Sequence, residues 1–133
     1  MTRTGGCRCG AVRYTLDAEP AAVRLCWCRD CQYWAAGNAA ANILVARAAV
    51  AVRGELRGWE SLADSGHRMR RSFCPACGTQ VFSEALENAE RLVIRIGTLD
   101  DATGLAPQTV IWTDSAPAWA RIDPSLQAFP RQP

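Results

Sequence analysis

The sequence predicts a small, mainly β domain. Three observations carry that expectation: short stretches alternate apolar with polar residues, helix signals are weak throughout, and seven cysteines fall into three tight clusters. At 133 residues the chain has room for one domain over 1–133 with a modest core and little more. A composition of 49% hydrophobic and 21% charged residues is that of an ordered chain, and no apolar run approaches the roughly 20 residues that span a bilayer. The stretch up to Cys7 lacks the apolar segment of a secretory signal, so a soluble, cytoplasmic protein is expected.

Taken in order, residues 11–16 place Val12, Tyr14 and Leu16 at every second position, the period of a half-buried strand. Pro20 and its polar neighbours break it, and 22–25 form a second short strand that runs into the central cysteine cluster. Residues 30–36 make one helical turn bearing Tyr33 and Trp34. Strands follow over 42–45, 50–53 and 56–59, with a turn at Gly54 and Glu55. The basic stretch 68–73 and the stretch 80–83 form a hairpin around a further cysteine pair. Residues 91–97, rich in β-branched side chains, are the clearest strand, and 110–112 are a last short one. Beyond Pro124 no periodic segment remains.

The cysteines stand as Cys7-x-Cys9, Cys26-x-Cys28-x-x-Cys31 and Cys74-Pro75-Ala76-Cys77-Gly78. An odd number cannot all pair into disulfides, and partners two residues apart bridge only under strain, so metal ligation is the better use of them. The last cluster has the form of a zinc knuckle. Its two sulfurs can meet one ion on a tight turn, Pro75 fixes one backbone angle, and Gly78 can take the positive φ by which the chain leaves. A redox Cys-x-x-Cys would open a helix after a strand, which residues 80–83 do not resemble.

Seven ligands divide naturally into four and three. A structural zinc is closed by four protein ligands, whereas a catalytic one keeps three and leaves a position for water or substrate. Cys7, Cys9, Cys74 and Cys77 would form the closed site and Cys26, Cys28 and Cys31 the open one. Spacing alone leaves open the knuckle borrowing a pair from the central cluster, or His67, the one histidine, completing a second structural site. Two zinc ions on seven thiolates turn the formal charge of +2 into −1, which argues against a nucleic-acid partner.

The chain resembles the glutathione-dependent formaldehyde-activating enzyme family, which includes centromere protein V-like members. The resemblance runs through Gly5-Gly6-Cys7-Arg8-Cys9-Gly10, Cys26-Trp27-Cys28-Arg29-Asp30-Cys31, Gly54-Glu55-Leu56, Phe73-Cys74-Pro75-Ala76-Cys77-Gly78 and Gly97-Thr98-Leu99-Asp100 to Ile111-Trp112 and Trp119. It implies a tent-like arrangement of short antiparallel sheets pinned by zinc. It further implies that Cys7, Cys9, Cys74 and Cys77 are the structural ligands and that Cys26, Cys28 and Cys31 hold the catalytic ion. The implied activity is that of a carbon-sulfur lyase, joining glutathione to formaldehyde as S-hydroxymethylglutathione or running in reverse. Two departures bear on substrate chemistry. The late motif is Val110-Ile111-Trp112 where the family often has His-Ile-Trp, and 32–38 differ from the usual composition after Cys31.

A soft, three-thiolate zinc suits a thiol substrate, which would lose its proton there and attack the aldehyde carbon. Arg13, Arg24, Arg29 and Arg95 are candidates for the carboxylates of a glutathione-like thiol, and Trp27 is the aromatic best placed to line a pocket. Asp30 stands between two ligands as a supporting side chain, and His67 lies on the edge of an exposed strand. The competing expectation is a non-catalytic zinc module that binds a protein or small ligand.

Overall fold

The computed structural model describes residues 2–133, so Met1 of the expected 1–133 domain lies outside the described residues. Within them the strands form a three-stranded and an eight-stranded sheet. β1 (Arg3–Gly6), β2 (Arg13–Leu16) and β5 (Val50–Arg53) make the small sheet in the order β1-β2-β5, antiparallel throughout. The large sheet contains β3 (Ala22–Cys26), β4 (Ala40–Ala46), β6 (Arg57–Leu62), β7 (Arg68–Phe73), β8 (Gln80–Ala85), β9 (Arg91–Arg95), β10 (Thr109–Ile111) and β11 (Gln127–Ala128). Its order is β11-β10-β3-β4-β9-β8-β7-β6. The one α-helix among the described residues, α1 (Arg29–Trp34), follows β3. No helix of the described residues is long and apolar enough to cross a membrane.

The mainly β expectation holds, with one refinement. Most neighbours are antiparallel, but β10 runs parallel to both β3 and β11, so the large sheet is mixed at that end. Short strands at 50–53 and 68–73 are present with the expected ends, and those at 11–16, 22–25, 42–45, 56–59, 80–83 and 110–112 with shifted ends. The strand expected over 91–97 stops at Arg95, and a 3-10 turn over Ile96–Thr98 follows. β1 and β11 add to the expected set. β1 has only Thr4 between Arg3 and two glycines, a composition without strand character, and pairing with β2 makes it a strand. A Cβ on Gly5 would lie 2.4 Å from the Tyr14 hydroxyl, so only glycine lets the two strands close over that ring.

Alternation divides the large sheet into two unlike faces. Ile43 and Val45 on β4 and Leu92 and Ile94 on β9 point inward and meet Val12, Tyr14 and Leu16 of the small sheet in the main core. Tyr14 packs on Phe82 with ring centres 5.3 Å apart. The intervening residues Asn42, Leu44, Arg91, Val93 and Arg95 face the opposite way and line a cavity. A second buried cluster lies at the β3–β10 end around Cys26, Trp27, Val110 and Ile111. The non-periodic tail covers it with Ile122, Leu126 and Phe129.

Candidate functional site

The cysteines gather into two groups. Cys7, Cys9, Cys74 and Cys77 have all their sulfurs within 4.8 Å of one another, and Cys26, Cys28 and Cys31 do likewise. The alternative in which the knuckle borrows from the central cluster is not the arrangement found. His67 joins neither group and sits on the β6–β7 connection with Nδ1 3.7 Å from Glu87.

The four-sulfur group is built from two similar turns. In one, the Gly10 amide donates to the Cys7 carbonyl at 3.2 Å, and the Val12 amide donates to the Cys7 sulfur at 3.2 Å. In the other, Gly78 donates to the Cys74 carbonyl at 2.8 Å, and the Cys77 amide faces the Cys74 sulfur at 3.5 Å. Gly10 and Gly78 both adopt left-handed backbone, with φ of 84° and 78°, as a knuckle requires. The Arg8 amide donates to Thr79 Oγ1 at 3.1 Å and ties one turn to the other. Sulfur separations of 3.6 Å between Cys7 and Cys9 and 3.8 Å between Cys9 and Cys74 match the edge of a zinc-thiolate tetrahedron, about 3.8 Å for bonds of about 2.3 Å. Hydrogen bonds from Thr79 hold Cys77 down to about 5, which favours the thiolate a metal needs. Because Cys7 and Cys9 follow β1 and Cys74 and Cys77 lie between β7 and β8, this group joins the small sheet to the large one.

The three-sulfur group forms where β3 runs into α1. Cys26 ends the strand, Cys28 caps the helix by accepting the Cys31 amide at 3.3 Å, and Cys31 lies in the first turn. Buried Gln32 fixes the loop by donating to the Trp27 carbonyl at 2.7 Å and the Ser115 carbonyl at 2.9 Å. The thiols share protons unequally. Hydrogen bonds with Cys26 and Cys28, opposed by burial and aided by the charges of Arg95 and Arg71, draw Cys31 well down, while hydrogen bonds with Cys28 and Cys31 together with burial push Cys26 far up. Three thiols this close fit a cation that accepts all of them as thiolates, and the soft donor set is consistent with zinc.

Cys26, Cys28 and Cys31 line one end of a cavity of about 380 Å³ over the outer face of the large sheet. A second cavity, of about 340 Å³, lies over β2 and β5. Cys7, Cys9, Cys74 and Cys77 line neither of the two. Trp27, the aromatic favoured as a pocket wall, instead packs edge-on to Trp119 in the second core, 6.3 Å between ring centres. Trp112 lines the cavity in its place, held in left-handed backbone with φ 60° and donating from Nε1 to Gln132 Oε1 at 2.9 Å. Asp30 Oδ2 accepts from Arg71 at 3.4 Å, so the residue between two cysteines is anchored to β7. Among the arginines, Arg13 is engaged by Asp100 across the small sheet, and Arg29 bonds Gln32 and stacks on Tyr33 outside the cavity. Arg24 and Arg95 line it. So do Arg71 and Arg91, which the sequence did not single out because only the strand order brings them there.

A model of the glutathione-dependent formaldehyde-activating enzyme family matches residues 2–115. The chain belongs to that family. The fold is also similar to a crystal structure of a Rhodobacter sphaeroides protein, with a TM-score of 0.58 and 23% identity over 78% of this chain and 91% of the other. Within the formaldehyde-activating family frame, the late-motif departure acquires a location. Val110 pairs with Leu25, and Ile111 with Cys26, so alternation turns Val110 away from the face that carries Cys26. Val110 is fully buried in the second core, while Ile111 and Trp112 line the cavity. A valine at 110 therefore removes no side chain from the cavity wall.

Proposed function

We propose that this protein is a zinc-dependent carbon-sulfur lyase-type enzyme. It adds a glutathione-like thiol to formaldehyde or another small aldehyde, or catalyses the reverse. Cys7, Cys9, Cys74 and Cys77 are the structural ligands in this reading, Cys26, Cys28 and Cys31 hold the catalytic ion, and residues 1–133 act as one domain. The observation that carries it is the unequal placement of the two sulfur groups, one clasped between sheets and the other opening on a cavity. Seven free thiols suit the reducing cytoplasm.

Cys26, Cys28 and Cys31 would hold the zinc, and the bound ion would supply a soft Lewis acid that favours the thiolate form of an incoming thiol near neutral pH. The chain supplies the rest. Buried Arg71 and Arg95 place positive charge near Cys31, which offsets the accumulation of thiolate charge at that end of the cavity. The cavity walls hold thiol and aldehyde together, which raises their effective concentration. A carbon-sulfur bond then forms, the carbonyl π pair moves to oxygen, and that oxygen takes up a proton in place of the one lost from sulfur. The reverse breaks the carbon-sulfur bond by the same steps.

The alternative of a non-catalytic binding module is separated by exchange spectroscopy on mixtures of formaldehyde and glutathione. The expected result is exchange faster than in buffer alone, abolished in Cys28→Ser. An exchange rate equal to that of buffer, with glutathione and with other common thiols, favours the binding module.

A further inference from the structure

β6 is the outermost strand of the large sheet and pairs with β7 alone among the described residues. It contains no proline and holds unbroken register with β7, so its outward row of backbone N–H and C=O groups is open to another strand. The other outer strands are blunted. β11 has two residues between Pro124 and Pro130, β1 is bridged at Gly5 by Leu99, and β5 spans four residues that end at the left-handed Gly54. β6 also carries large apolar side chains into solvent, with Trp59 53% and Leu62 72% exposed. Trp59 shares a face with Arg71, its partner on β7, and packs on Trp34 of α1 with ring centres 5.9 Å apart. The Arg71 guanidinium stacks on Trp34 in turn, 4.8 Å from its ring centre. One side of the Trp59 indole is thus occupied, while beyond β6 no strand covers the other among the described residues.

We propose that β6 pairs antiparallel with β6 of a second copy of this chain, making a two-fold dimer in which the large sheets join edge to edge. A two-fold axis normal to the sheet requires opposed residues to share a face, so the registers near the strand centre place Gly58, Trp59 or Glu60 opposite its own copy. Centring on Glu60 sets two carboxylates against each other, and centring on Gly58 leaves Leu62 without an apolar partner. Centring on Trp59 sets the two indoles side by side, each backed by its own Trp34, and brings Leu56 of each copy opposite Leu62 of the other. Arg57 then faces Ser61, and Glu60 faces Gly58, which has no side chain. Glu60 also keeps Arg68 and Arg70 of its own hairpin at 3.9 Å. In this register apolar meets apolar and no like charges are directly opposed, which is the self-complementarity a second copy needs. Trp59 and Leu62 line neither cavity, so the interface is distinct from the candidate site.

Sedimentation equilibrium of the zinc-loaded protein from about 5 to 500 µM tests this, a range that covers weak specific association. The wild type is expected to rise reversibly from the mass of one chain to that of two. Trp59→Lys and Trp59→Glu should each stay monomeric where the wild type is dimeric, because each sets a charge against its own copy. Mixed in equal amounts the two should dimerise again, since position 59 of one chain faces position 59 of the other and the charges are then opposite. A Trp59 that serves only to pack on Trp34 gives no such recovery. Leu62→Glu, at the more exposed position, should raise the dissociation constant at least about tenfold and decides the matter if the Trp59 variants do not fold. Circular dichroism and zinc content establish which variants are folded. A wild type that stays monomeric leaves the edge to a strand of another protein and overturns the proposal. So do folded Trp59 variants that remain dimeric or do not recover on mixing, and a Leu62→Glu protein as dimeric as the wild type. Association beyond two chains also overturns it, since one β6 pair uses up both edges.

Discussion

Cys74 and Cys28 show how one residue type takes unlike roles through its surroundings. Cys74 has no exposed surface and packs in the main core beside Val12 and Val81, whereas Cys28 lines the cavity. The knuckle around Cys74 depends on Gly78, and a side chain in its left-handed backbone costs roughly 1–2 kcal/mol. Gly78→Ala should therefore lower stability by that amount in denaturant titration and speed metal loss to a chelator. Ile94 offers a contrast with no ligand nearby. It is fully buried at the centre of β9, and Ile94→Ala should destabilise by about 2–5 kcal/mol with the metal content unchanged. Single residues of these kinds were legible in sequence. Gly78 followed a cysteine turn, and Ile94 stood in a β-branched run.

At the scale of elements, a strand was legible where its own residues alternate. Tyr14 and Leu16 against Arg13 and Thr15 state both faces of β2 without help from a partner. β1 could not be read because its glycines acquire strand character only by lying against Tyr14 and Leu99. β11 could not because two residues with no periodic context are a strand only through β10. The turn after Gly97 fastens β1 and β2 to the rest. Asp100 accepts from Thr4 Oγ1 at 2.7 Å and from Arg13 Nη1 at 3.0 Å, and its amide donates to the Thr4 carbonyl at 2.9 Å. Bonds from Arg13 and Thr4 bring its carboxyl down to about 2 from 3.8. A depressed carboxyl pKa contributes stability that is fully present above the unfolded value and lost as pH falls through the folded one. Wild type should therefore melt higher than Asp100→Asn above pH 4, and the gap should close between about 4 and 2. A gap that stays constant across that range would show that the ionised carboxylate is not what holds the turn.

For the whole molecule, four cysteines gather where the two sheets meet and three line a cavity on the far face. The grouping of the cysteines was legible because the family resemblance decided what their spacing left open. The cavity was not. Arg24, Asn42 and Arg95 come together only through the register of three strands far apart in sequence, and Trp112 replaces Trp27 at the wall because β10 ends one residue early in left-handed backbone. This division predicts an order of metal loss. Graded chelation should first empty the cavity site with the β circular dichroism spectrum retained. Release from the clasp should follow, together with cooperative unfolding, because that site links elements distant in sequence. The most direct check counts zinc per chain and records thermal unfolding in Cys28→Ser and Cys74→Ser beside the wild type. Two ions in wild type, one in a folded Cys28→Ser protein, and collapse of the fold in Cys74→Ser are the predicted results. If Cys28→Ser unfolds as thoroughly as Cys74→Ser, the two sites are not unequal and the account is contradicted.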